Sequence, residues 1–416
     1  MKYLSILINI LKGKRSFNEI SKDLVFYSAL GVIDKITPFL ILNIAVFFFK
    51  DSELGVYTLL LIIFTLILPL MSIEVNRFVE SIYFNEKKHL YYQKRNELLG
   101  VLFILGITIS PLIYIFISGY IDSFFLFSLM VISVFPFKIK EIFTTELRCG
   151  RDKKTITKIS IITSLLRLIG FILISINEET RTGFYLILTF LIPINIVGFY
   201  IFFNKKNNFA IKFSNCKNLK KILIFCLPFV PYTFSGVLQN QLDKIFLTNQ
   251  TSLSMLGIYA ILFSFGMPLK FLSNSFTQAW TPHFLDNSKN YNFNSLKRNY
   301  FILFLIFIII YYFIVKFILD KYYPIKVSEH HIILIPLFIG FYFRSIKQIE
   351  IPNFIKLNKT SKLLYEFFIT LLCSVSFSYL FIMKFELGIV GASIVFSLNQ
   401  LVSLLTLSII RKWHLS

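Results

Sequence analysis

Apolar residues in this chain come in long uninterrupted blocks rather than in alternation with polar ones. The blocks run over 24-49, 54-82, 98-119, 124-146, 156-176, 184-203, 222-247, 254-280, 299-319, 329-350, 363-383 and 387-410, with short polar stretches between them. A helix needs about 20 apolar residues to cross a bilayer, and each block supplies roughly that length. Runs this continuous exclude the short alternating segments of a membrane β-barrel. The pattern therefore predicts an all-α polytopic membrane protein with about twelve transmembrane helices. No loop is long enough to fold as a domain of its own.

The blocks also repeat. "LGVYTLL" at 54-60 returns as "LGIYAIL" at 256-262, 202 residues later in a chain of 416. Each copy opens an even-numbered span, so the two halves run in the same direction. They are expected to be two six-helix bundles related by an axis along the membrane normal, a parallel repeat of the kind transporters show. The expected organisation is an amphipathic N-terminus lying on the inner surface, 1-23, a first bundle, 24-203, a basic linker, 204-221, a second bundle, 222-410, and a tail, 411-416.

Composition agrees with this class: 56% of residues are apolar and 50 are Phe. The net charge of +21 changes the picture only through its distribution. Alternate loops, with both termini, hold 28 of the 43 basic residues, and the remaining loops hold five. That asymmetry places the basic loops and both termini in the cytoplasm. It also accounts for the charge as topology and attraction to anionic membrane lipids, so nucleic acid is not implied.

Ten basic residues remain inside the blocks. Arg77, Lys138, Lys140, Lys316 and Lys347 fall near helix ends, from which long side chains snorkel to the interface. Lys35, Arg167, Lys270 and Arg344 lie deeper, where a charge is costly and marks function. Together they predict a cationic cavity. "LQNQLDKIFL" at 238-247 adds a polar flank, because Gln239 with Asp243 and Asn240 with Lys244 are i,i+4 pairs. Asp34 and Asp243 are the candidate coupling acids. For Asp243 two readings stand: a group responsive to a proton or sodium gradient, or a structural partner that holds a cation in place.

Signals of catalysis are weak. Cys149, Cys216, Cys226 and Cys373 are scattered without CxxC spacing, and His330 with His331 reads as an interfacial pair rather than a metal site. No Gly-rich phosphate loop is present, so ATP is not the expected direct energy source. No cofactor and no enzymatic activity are expected.

The stretch "NQLDKIFLTNQTSLSMLGIYAILFSFG", with "QAWTPHF" at 278-284 and "LGIVGASIVFSLNQ" at 387-400, resembles the polysaccharide-transporter branch of the multidrug/oligosaccharidyl-lipid/polysaccharide exporter superfamily. These are the flippases for O-antigen and capsule repeat units, and Asn240, Asp243, Gln278, Trp280 and Pro282 are the positions that match their motifs. The resemblance implies export of an undecaprenyl-pyrophosphate-linked oligosaccharide across the bacterial inner membrane, alongside a polymerase and chain-length proteins of the same pathway. The residues suit such a cargo: fixed cations lower the barrier to moving a pyrophosphate, and Gln and Asn side chains can serve sugar hydroxyls. Two alternatives remain. A multidrug or cation antiporter of the same superfamily would be expected to have an acidic cavity, and an integral-membrane polymerase or glycosyltransferase would need a sizeable outer loop.

Overall fold

The structure, a computed structural model, describes residues 37-72, 86-118, 123-150, 152-204, 208-213, 240-285, 293-356 and 363-415, with isolated positions at 76, 78-79, 82-83, 226, 234 and 236-238. Among them there are helices and no strands. The first lobe contains α1 (37-45), α2 (Asp51–Ser72), α3 (Lys88–Ile117), α4 (Phe124–Cys149), α5 (Lys153–Ile176) and α6 (Gly183–Phe203). The second contains α7 (Leu242–Gln250), α8 in two limbs (Leu253–Ser264 and Met267–Leu285), α9 (Phe293–Tyr322), α10 (Leu334–Lys356), α11 (Leu363–Ser378) and α12 (Gly388–Leu415). A π-helical turn, Tyr379–Lys384, continues α11.

Local chemistry sets several boundaries. Ser123, Asp152, Thr182 and Ser252 each accept a backbone N–H at the start of α4, α5, α6 and α8, supplying a partner that a helix N-terminus lacks. Eight described helices are long and apolar enough to cross a membrane, or nine if the limbs of α8 form one span. The sequence predicts twelve. The block 24-49 begins and 222-247 largely lies outside the described residues, while α4 carries Lys138, Lys140 and Glu141 in its middle.

Block 222-247 departs from expectation in a second way. It was expected as one continuous span, but the chain turns at Asn240 and Gln241 and a new helix starts at Leu242. At that turn the bonding tightens to i,i+3, with the Asn240 amide donating to Val237 O at 3.0 Å and that of Gln241 to Leu238 O at 2.9 Å. A row of Gln, Asn and Gln favours this because their amides can satisfy the backbone groups that an interruption frees. Asn240 Nδ2 bonds back to the Gly236 carbonyl.

The repeat seen in sequence recurs in the packing. In the first lobe Arg95 of α3 pairs with Glu146 of α4 at 2.8 Å; in the second, Lys297 of α9 pairs with Glu350 of α10. These pairs stand 202 and 204 residues apart, so each lobe ties the same two helices together at the same end. Lys140 in α4 likewise matches Arg344 in α10, again 204 residues on. The lobes meet at the opposite end, where α2 crosses the first limb of α8. A Cβ added to Gly55 would overlap the Leu253 carbonyl, and one added to Gly257 would overlap the Asp51 carbonyl. Gly55 and Gly257 are 202 residues apart, and so are Asp51 and Leu253. The repeated motif therefore packs on its own copy across a pseudo-two-fold axis, at a distance that only glycine permits.

Candidate functional site

Where α7 is interrupted, two cations converge on one residue. Asn240 Oδ1 accepts a hydrogen bond from an Arg344 guanidinium nitrogen of α10 at 2.7 Å, and its main-chain oxygen accepts from Lys244 Nζ at 3.1 Å. Lys244 also donates to Gln241 Oε1 at 2.9 Å and lies 4.1 Å from the centre of the Phe263 ring, a cation–π contact. Gln241 reaches the first lobe through a long 3.4 Å bond to Thr65 Oγ1 of α2. The cluster thus lies at the lobe boundary, built by α2, α7, α8 and α10.

Neither Lys244 nor Arg344 is ion-paired with a carboxylate among the described residues, although Lys244 is only 6% exposed. Buried charges are normally paired, because desolvation is expensive. Here neutral amide oxygens do the holding. The Nε of Arg344 is buried with no hydrogen-bond partner. The site is cationic, with donor capacity to spare.

Asp243 makes no ion pair with either cation, although it lies within electrostatic reach of Lys244. It is fully buried and turned towards α8, where its Oδ2 accepts from the Tyr259 hydroxyl at 2.5 Å. Its Oδ1 has no hydrogen-bond partner. Of the expected polar flank, Asn240 and Lys244 meet, Asp243 points into the second lobe, and Gln239 lies outside the described residues.

The other described cations sit on other segments. Arg167 is buried in α5, 4.6 Å from the Phe190 ring centre and within electrostatic reach of Tyr57. Lys270 is half-buried in the second limb of α8. Lys35, Asp34 and Gln239, and the side chains of Gln278, Trp280 and Pro282, lie outside the described residues. Three residues expected to snorkel are instead buried or nearly so. Lys138 meets Glu141 at 2.5 Å, Lys140 is buried in α4, and Lys347 meets Glu366 at 2.9 Å. Intramembrane carboxylates close by make burial cheaper for Lys138 and Lys347 than reaching for the surface.

Sequence reasoning missed Gln241 as a link between lobes, and it missed a second polar bridge. Ser273 Oγ donates to Gln348 Oε1 at 2.7 Å and Gln348 Nε2 donates to Asn274 Oδ1 at 2.8 Å, joining α8 to α10. The signal was Gln348 one turn beyond Arg344. A separate cleft of about 470 Å³ at the basic end of the first lobe is lined by Tyr83, Tyr91, Tyr92 and Phe143. Its carboxylates are already engaged: Glu86 with Lys94, Glu146 with Arg95 and Tyr91, and Asp152 with Thr155.

No family model and no curated protein sequence matches the chain. Its fold does match solved structures across most of its length. A MATE transporter in complex with MaD3S is similar with a TM-score of 0.62 at 14% identity, covering 98% of this chain and 97% of that one. The lipid II flippase MurJ, in an inward closed conformation, is similar with a TM-score of 0.60 at 17% identity, covering 90% and 87%. A transporter of the MOP superfamily from Pyrococcus furiosus, reported for the reverse polarity of its binding pocket, is similar at 0.58 and 13% identity, covering 98% and 97%. The chain thus shares its overall fold with these solved transporters.

Proposed function

We propose that this protein is a flippase for undecaprenyl-pyrophosphate-linked oligosaccharide repeat units, O-antigen or capsule, in a bacterial inner membrane, with both termini cytoplasmic. The observation that carries this reading is a pair of cations at the lobe boundary, buried Lys244 and half-buried Arg344, held by the oxygens of Asn240 with no ion pair to a carboxylate among the described residues. A pyrophosphate offers several charged oxygens to such a pair, and charge-assisted bonds to phosphate are stronger than the neutral ones it would displace. Arg344 presents a planar fork and Lys244 a point charge, so the two engage different oxygens. Arg167 and Lys270 extend the positive field, and Ser273, Asn274 and Gln348 are donors and acceptors for sugar hydroxyls. A cavity for cationic drugs would place acid where these bases stand. A proton or sodium gradient drives the cycle, and the polymerase of the same pathway receives the product.

The test is flipping of a fluorescently tagged undecaprenyl-pyrophosphate oligosaccharide in proteoliposomes. The Lys244→Gln/Arg344→Gln double variant should flip at least about tenfold more slowly, the equivalent of losing roughly 1.4 kcal/mol of cargo stabilisation, at unchanged abundance. Wild-type protein that ignores this lipid and exchanges cationic dyes for protons is instead an antiporter, and this reading is then wrong.

A further inference from the structure

We infer that the cleft at the basic end of the first lobe is a saccharide-binding site, separate from the Lys244–Arg344 pair. Its volume of about 470 Å³ suits a small ligand, and its rings come from Tyr83 ahead of α3, Tyr91 and Tyr92 of α3, and Phe143 of α4. Tyr83 stands edge-on to Tyr91, with ring centres 5.4 Å apart at 81°, so the two rings form a corner. Tyr83, Tyr92 and Phe143 are half-buried, which leaves ring surface open to the cleft. A sugar ring carries C–H groups on its faces and hydroxyls around its edge, and it packs against such amphipathic rings.

The charges on the walls select a neutral ligand that has both donors and acceptors. Glu86, Glu146 and Asp152 contribute three carboxylates, while Lys88 and the ion-pair partners Lys94 and Arg95 contribute three cations, so the fixed charges cancel. An ammonium ligand would have to compete with Lys94 and Arg95 for their carboxylates, and a phosphate would meet all three acids. A sugar hydroxyl does neither. It donates to a carboxylate oxygen that is already paired and accepts from a lysine. Glu146 has the capacity: Tyr91 at 2.5 Å and Arg95 at 2.8 Å both donate to its Oε1, and among the described residues its Oε2 receives no hydrogen bond.

The walls are held from behind. Arg95 has no solvent exposure, and its guanidinium lies 4.9 Å from the Tyr92 ring centre and 3.8 Å from that of Phe209. Phe209 belongs to the segment that joins the lobes, and it packs edge-on against Phe143 at 6.0 Å. That segment is pinned in turn, because Arg95 and Asn96 donate to the Asn208 carbonyl at 2.7 and 3.0 Å and the Ala210 amide donates to Asn96 Oδ1 at 3.3 Å. The rings are therefore fixed before a ligand arrives, which lowers the ordering cost of binding. Tyrosines that serve only as a membrane-interface belt need no such support. On the flippase reading, on which the source of the saccharide rests, the cleft is a loading site for the sugars of the cargo on the cytoplasmic side.

The test is saturation-transfer NMR on the full chain in nanodiscs, with the reducing oligosaccharide released by mild acid from the tagged lipid as probe. Saturation of aromatic protons should reach the sugar C–H protons, and Tyr92→Ala should weaken binding at least about fivefold, as loss of an aromatic anchor does. Hydrogen exchange of the wild-type protein, which needs no variant, should slow at 88-92 and 146-150 when the saccharide is added. The cleft is overturned if the wild-type protein does not bind the saccharide, if binding leaves exchange in those segments unchanged, or if spermidine or glycerol phosphate gives that protection and the saccharide does not. Flipping of the intact lipid is scored separately. A protein that binds the saccharide here without flipping keeps the cleft and loses the flippase reading, and one that flips without binding here loses the cleft alone.

Discussion

Tyr57 and Tyr259 hold equivalent places in the two repeats, 202 residues apart and both buried, yet they meet opposite charges. Tyr57 lies near the guanidinium of Arg167, whereas Tyr259 donates its hydroxyl to the carboxylate of Asp243. The surrounding frame is common to both lobes: a glycine two residues earlier at the crossing, and a basic residue on the third helix paired with a glutamate on the fourth. The two repeats share the parts that close helices against one another and differ in the charge that each buried tyrosine meets. The difference teaches that symmetry here belongs to the scaffold. Among the described residues, the interrupted helix that brings Lys244 and Asn240 to Arg344 lies in the second lobe.

If the scaffold pairs are equivalent in place but unequal in burial, substitutions should separate them. The largest effect is expected for Glu146→Gln, which strands Arg95, whose side chain has no solvent exposure. Breaking a buried pair in this way costs about 3–5 kcal/mol. Glu350→Gln leaves Lys297 and Arg411 partly open to solvent, 25% and 46% exposed, and should cost about 1–2 kcal/mol. Chemical unfolding in detergent micelles measures both. Equal losses would mean that the two lobes bear the same load at these pairs despite their unequal burial.

The tyrosines provide a smaller contrast. Tyr259→Phe removes the side-chain hydrogen bond of a fully buried Asp243, at a cost of about 1–3 kcal/mol. Tyr57→Phe removes a hydroxyl that holds no such acid and should stay within about 0.5 kcal/mol. The same unfolding experiment resolves them. A Tyr259→Phe protein as stable as the parent would show that Asp243 is not held by this bond.

The smallest effect concerns the start of α5. Thr155 donates to Asp152 from both its amide and its hydroxyl, which holds the Asp152 carboxyl below the usual carboxylate range. A depressed folded-state value stabilises the protein at neutral pH. That contribution is complete above the ordinary carboxylate value of about 3.9 and is lost as pH falls below it. Asp152→Ala should cost about 1 kcal/mol as a lost helix cap, and the difference from the parent should shrink when unfolding is measured in acid.

Much of this was legible in the chain before any coordinates. Block length fixed the helical class, and the recurrence of "LGVY" as "LGIY" placed the repeat, including the two glycines that turn out to touch. Arg344 was readable as a deep charge because a guanidinium mid-block has few explanations. Asn43, equally isolated in an apolar block, passed unnoticed although it bonds to Ser264 and Tyr323 of the second lobe, since one amide among Phe and Ile states a cost but not a partner. Lys138 and Lys347 were misassigned for a related reason. Distance along a helix tells how far a side chain is from the interface, but not that Glu141 or Glu366 waits beside it.

The sequence by itself determined the number, direction and duplication of the helical blocks, because these follow from transfer free energies summed over about 20 residues, to which no single contact matters much. The tertiary structure decided which buried polar groups face one another. Asp243 and Lys244 are neighbours in sequence, yet one bonds to Tyr259 inside the second lobe and the other turns to Asn240 at its edge. That choice depends on a turn of two residues and on side chains up to about a hundred positions away, and hydrogen bonds act only over about 3 Å. Hydropathy is additive along the chain and survives averaging, whereas a hydrogen bond depends on a distance in space that the order of residues does not contain.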